Sequence, residues 1–145
     1  MSEITYDKAL STIREIVSEF GEDYVYERVA SGCRYVSNGA PSCIVGHALV
    51  RWGVNPDLVN SWDTDQAMVE VNGEMTYRMD GKYASQFAWD ALRGLRRDGH
   101  LEITDEAVAF LDAVQWEQDH GTPWGEALEI GRDKFEDREF NAENI

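Results

Sequence analysis

Positive charge is scarce in this chain. Its 145 residues hold 13 Lys and Arg against 28 Asp and Glu, a formal net charge of −15. A field of that sign repels phosphate backbones and attracts basic protein surfaces. Direct nucleic-acid binding is therefore not expected, and a protein partner with a basic surface is. Cysteine is scarcer still, with only Cys33 and Cys43, far below the density of a secreted disulfide scaffold. A reducing cytoplasm is the expected compartment, although the ten-residue separation still permits a disulfide if the chain turns back. No window approaches the ~20 apolar residues that span a bilayer. The opening MSEITYDKAL has no basic region followed by an apolar run. Neither a membrane span nor a signal peptide is expected. Phosphate-binding glycine patterns are also missing. Gly32, Gly39 and Gly46 fit neither GxGxxG nor the P-loop spacing, and no Lys follows them.

Apolar material is plentiful: 43% hydrophobic and 11% aromatic, with five Trp. That excludes an acid-rich disordered tail as the description of the whole chain. The length fits one domain, residues 1–145, able to bury a core without disulfides or metal.

Apolar residues at Tyr6, Ala9, Leu10, Ile13, Ile16, Val17 and Phe20 have the spacing of an amphipathic helix that Gly21 ends. The β-branched and aromatic stretches at 24–29 and 33–37 predict a small hairpin. Pro41 and Ser42 open a second helix through Trp52, apolar enough to be the central one and to contact both the first helix and the carboxyl-terminal pair. Residues 55–65 read as turns with a short helical turn. Asn72-Gly73 lies between AMVEV and EMTYRM, which reads as two adjacent strands or as an irregular loop. A helix is predicted over 83–97, with Phe87, Ala88, Ala91, Leu92 and Leu95 on one face. Thr104, followed by Asp105 and Glu106, caps the next helix, which runs to about His120. Thr122-Pro123 starts a last helix lined by Trp124, Leu128 and Phe135, with a polar, frayed tail from about Asp137. The expected fold class is α+β: four or five helices packed with a small antiparallel β element.

Sites with chemistry are thin. Cys43 and His47, four apart on a helix, face one ligand; with Cys33 they are three candidate metal ligands, and His100 or His120 would be a distant fourth. Structural zinc usually needs a close cysteine pair, which is missing. Buried thiols beside a hydrogen-bonded histidine are the plainer reading. As a catalytic Cys–His pair the same residues lack an orienting third group. Asp57, Asp63 and Asp65 do not have the spacing of a calcium loop. Arg93, Arg96 and Arg97 are the only basic cluster, and they balance acids nearby, Glu102 and Asp105 among them.

From Glu117 onward nine acids face only Arg132, Lys134 and Arg138, interleaved with Trp124 and Phe140 and preceded by Trp116. Aromatics supply anchors and charge supplies steering in many docking surfaces. The candidate protein-binding residues are Trp116, Trp124, Glu117, Asp119, Glu126, Glu129 and Asp133. The plainer reading is a solvated helix with its Trp residues turned inward.

The stretches GCRYVSNGAPSCIVGHALVRWGV, 32–54, and VQWEQDHGTPWGEAL, 114–128, resemble small uncharacterised proteins encoded by actinobacterial bacteriophages and their hosts. CIVGHAL, 43–49, is also similar to a Cys-x-x-Gly-x-Ala-Leu element of bacterial domains of unknown function. Together they cover about a quarter of the chain and carry over no catalytic or binding residues. The resemblance implies a phage accessory protein in the bacterial host cytoplasm that binds a host protein. The leading expectation is thus a non-enzymatic protein, without cofactor, that docks a basic host protein on an acidic, aromatic-punctuated surface. The alternatives are a DNA-mimic inhibitor of a DNA-binding protein, and a small metal-binding or thiol-dependent enzyme using Cys43 and His47. Oligomeric state stays open.

Overall fold

A computed structural model describes residues 3–26, 35–37, 40–61, 68–77, 82–83 and 87–143. Its frame is five helices: α1 (Tyr6–Phe20), α2 (Ile44–Arg51), α3 (Ala88–Arg97), α4 (Asp105–Asp119) and α5 (Trp124–Glu143). Extended backbone is brief: β1 (Val36–Ser37), β2 (Ala40–Pro41), β3 (Asn60–Ser61), β4 (Met68–Val71) and β5 (Glu74–Tyr77). One 3₁₀ turn spans Pro56–Leu58. Among the described residues no helix is long and apolar enough to cross a membrane.

Local chemistry explains the helix starts. The Thr5 hydroxyl accepts the Lys8 N–H and the Thr104 hydroxyl accepts the Ala107 N–H, each satisfying a donor that the first turn leaves orphaned. Apolar faces then close on one another. Ile13, Ile16 and Val17 of α1 join Ile44, Val45 and Leu49 of α2, Leu92 and Leu95 of α3, and Phe110, Leu111 and Val114 of α4 in one core. The organising helix is α4, which packs on α1, α2, α3 and α5. The central place expected for α2 belongs to α4; α2 packs mainly on α1 and α4. A parallel bridge of the buried Ile4 and Ile103 fastens the amino-terminal segment beside the α4 start, with Ile4 N–H donating to the Glu102 carbonyl at 2.8 Å.

The α+β expectation is overturned. The core is made between helices, and none of them is organised around a β element. Residues 24–26, assigned to a first hairpin strand, are not in a strand. The Tyr24 and Glu22 carbonyls instead accept the Trp124 and Gly125 N–H groups, at 2.8 and 3.0 Å, and so dock the start of α5. Residues 27–34 lie outside the described ones. β1 pairs with β2 and, in parallel, with β3, two residues at a time. At Asn72-Gly73 the chain turns between β4 and β5, which pair with each other and, among the described residues, with no other strand. Among the described residues the one substantial helix–strand packing joins α2 to its neighbour β2.

Two further boundaries differ. α3 starts at Ala88, not near 83, and Phe87 is an extended N-cap with its ring exposed. The backbone of α5 stays helical past Asp137 to Glu143.

Candidate functional site

Asp105, Ala109, Asp112 and Trp116 recur at alternating four- and three-residue steps and share one face of α4. That face is open. With α3 on one side and α5 on the other, it forms the floor of a groove of about 680 Å³, within the range of ligand-sized clefts. Ala109 and Ala113 keep the floor low. Gly131 sets the approach of the α5 wall, because a Cβ there would stand 2.6 Å from Val114 Cγ2.

The walls are aromatic and cationic. On α3, Arg93 lies 5.6 Å from the Trp89 ring centre; on the other side, Lys134 of α5 lies 5.5 Å from that of Trp116. Phe135 is held by stacking on Tyr6 of α1 at 3.8 Å, and Tyr6 meets Phe110 edge-on. The two indoles remain 41% and 50% exposed, and Phe87, two residues before Trp89, is 53% exposed. Trp116 also stacks on His120 at 3.7 Å, whose Nδ1–H donates to the Trp116 carbonyl.

Asp112 is the polar centre of the floor. Its Oδ1 accepts the Trp89 N–H at 3.2 Å, which serves α3 as the cap its own Phe87 cannot supply. Burial pushes the carboxyl above its ordinary value; the Trp89 amide pulls it back, and nearby Asp90 pushes it further up. No Lys, Arg or His nitrogen comes within 4.0 Å of it among the described residues. Asp98 at the far end of α3 is the opposite case. Bonds from Arg97 and from the Tyr83 hydroxyl hold its carboxyl down at about 2.

Several sequence-derived candidates find other places. Trp116 lies on the groove, but Trp124 is fully buried among Phe20, Tyr24 and His47 and cannot anchor a partner there. Its turn into the core follows from its place as the first residue of α5, docked on the 22–24 backbone. Glu126, Glu129 and Asp133 are exposed on α5, with Glu129 bonded to Arg132 at 2.8 Å. Glu117 accepts the Thr122 hydroxyl, and Asp119 accepts the Gln118 amide. Arg96 pairs with Asp105 and Arg97 with Asp98, which leaves Arg93 as the member of the basic cluster with no carboxylate partner among the described residues.

Cys43 and His47 do not form a pair. Cys43 is buried as the N-cap of α2, where its sulfur accepts the Gly46 N–H at 3.4 Å. His47 packs against Phe20 and Trp124, and burial, with Arg51 adding, lowers its pKa. Cys33, Asp63 and Asp65 lie outside the described residues. His100 packs on Tyr83 and His120 on Trp116, away from Cys43. Among the described residues no three His, Cys, Asp or Glu side chains gather to hold a metal ion. Gly46, considered for phosphate binding, serves packing: a Cβ there would stand 1.8 Å from the Tyr35 carbonyl oxygen.

Trp89 and Asp112 are what sequence reasoning missed. The signal available was local: Trp89 and Arg93, like Asp112 and Trp116, sit four apart and off the apolar stripes of their helices. Comparison with known protein families, characterised proteins and solved structures finds no significant match to this chain.

Proposed function

We propose that this protein is a non-enzymatic binding module that docks a partner protein across the groove over α4. The observation that carries this reading is the pair of half-exposed indoles, Trp89 and Trp116, flanking a floor whose Asp112 carboxylate has no cation within 4.0 Å among the described residues. Exposed aromatic anchors beside a concave surface are the usual energetic centre of a protein interface. A partner with a basic surface fits the net charge of −15, which accelerates its encounter. Following the resemblance to phage-encoded proteins, that partner is a host cytoplasmic protein. Glu126 and Asp133 on the outer side of α5 supply part of the steering field, while Trp116 and Trp89 supply the grip.

The test is affinity capture from a bacterial lysate with the tagged protein and with a Trp89→Ala/Trp116→Ala variant, washed at low and then high salt. A stoichiometric partner held by the parent, released by salt and lost from the variant supports the reading. A partner retained by the variant places the interface elsewhere. Release of the partner by DNA would identify the interaction as DNA mimicry.

A further inference from the structure

We infer that Asp112 is the point at which the groove recognises a cationic side chain, an arginine or lysine of the docked segment. This inference rests on the groove being the docking surface and specifies what it reads. A half-buried carboxylate without a counter-charge is unfavourable, since burial penalises its charged form. The fold uses one oxygen of Asp112, for the Trp89 N–H; the second oxygen takes no hydrogen bond among the described residues. An uncharged acceptor could also take the Trp89 N–H, so the cap does not require the charge, although the charge strengthens it.

The surroundings of Asp112 sort by sign. Asp90 of α3 is close enough to disfavour its ionisation, and Asp105 on its own helix is engaged by Arg96 at 2.7 Å. Arg93 and Lys134 stand at the walls against the indole faces, beyond ion-pair distance of Asp112. An incoming cation therefore finds a carboxylate on the floor, with indole faces that already hold cations on either side. Arginine suits this best, since its planar fork brings several donors to the free oxygen. The occupant that fits is an amphipathic segment of a partner protein. Its apolar side chains would cover Trp89, Trp116 and Phe135, its inward cation would meet Asp112, and acids at its margins would face Arg93 and Lys134.

The experiment titrates the full chain with two synthetic helical peptides of identical apolar residues and marginal glutamates, one carrying arginine and the other glutamate at the inward positions. Salt is held at ~150 mM, where exposed charges are screened beyond about 8 Å. Binding is read from the indole N–H resonances of Trp89 and Trp116. The arginine peptide should shift both resonances. D112N should weaken it roughly 10- to 100-fold, the range for a hydrogen bond to a charged group, and D112E should recover part of the loss. Because Asn keeps an acceptor for the Trp89 N–H, an unchanged circular dichroism spectrum separates lost charge from lost fold. Equal binding by D112N, or tighter binding of the glutamate peptide by the parent, overturns the role of Asp112 and leaves the groove as the docking surface. If neither peptide moves either resonance, the docking reading itself fails.

Discussion

Two faces of α4 handle polar side chains in opposite ways. Toward α2, Gln115 and Gln118 are almost wholly buried, and each gives its carbonyl oxygen to a backbone donor in the first turn of α2: Gln118 to Ile44 N–H at 2.8 Å and Gln115 to Val45 N–H at 3.2 Å. With Gly46 N–H on the Cys43 sulfur, three of the four donors that a helix start leaves orphaned are met from inside the protein. On the open face, by contrast, Asp112 has no cation beside it among the described residues, and there Arg93 and Lys134 rest on indoles instead of carboxylates. Acids outnumber bases by 28 to 13, so a carboxylate partner for each cation is not in short supply. The difference teaches which polar groups serve the fold and which are left over for something else. A buried polar group with a partner is explained by the structure; a half-buried charge without one is a candidate for function.

That contrast can be broken or sharpened by substitution. The largest effect is expected at the closed face. Gly46→Ala drives a methyl into the Tyr35 carbonyl at 1.8 Å, and the overpacking should cost about 3 kcal/mol or more in urea denaturation. A loss below about 1 kcal/mol would mean that the α2 start tolerates a shift. Gln118→Leu keeps the volume but strands the Ile44 N–H, which should cost about 1–3 kcal/mol while leaving partner affinity unchanged. Trp116→Ala should reverse the pattern: stability within about 1 kcal/mol of the parent, and partner affinity down by about 2 kcal/mol, roughly 30-fold. Similar stability losses for Gln118→Leu and Trp116→Ala would erase the distinction between the faces.

The smallest effect is the dependence on pH. Folding raises the Asp112 pKa above its ordinary 3.8, so the folded state binds that proton more tightly than the unfolded one. The favourable contribution is fully present below 3.8 and is lost as pH rises through the higher folded value. Asp98 has the opposite sign: its stabilisation is present above 3.8 and is lost as pH falls through about 2. Asp112→Asn should therefore remove the decline on the rising limb of a stability–pH series and leave the acid limb, which Asp98 shares in, unchanged.

Much of the helical frame was legible in the sequence because its causes are local. Apolar residues three and four apart, Thr104 at a helix start, and Gly21 and Gly121 beyond helix ends act within one or two turns. Residues 24–26 are not the strand expected of them because the Tyr24 carbonyl, like that of Glu22 before it, is taken by α5, a hundred residues further along the chain. Trp116 and Trp124 read alike in sequence, each among acids; only the docking of the α5 start turns one inward and leaves the other on the surface. Trp89 and Asp112 are 23 residues apart, and their meeting depends on how α3 packs on α4. Spacing could place each on the off-stripe side of its helix and could not bring the two together.

The central claim is that the charge of Asp112 is not there for the fold. Urea denaturation of Asp112→Asn beside Gln118→Leu at neutral pH tests it most directly. The account predicts that the Asn variant is at least as stable as the parent, while the Leu variant loses about 1–3 kcal/mol. A comparable loss in the Asn variant would contradict it and make Asp112 a structural residue like the glutamines on the other face.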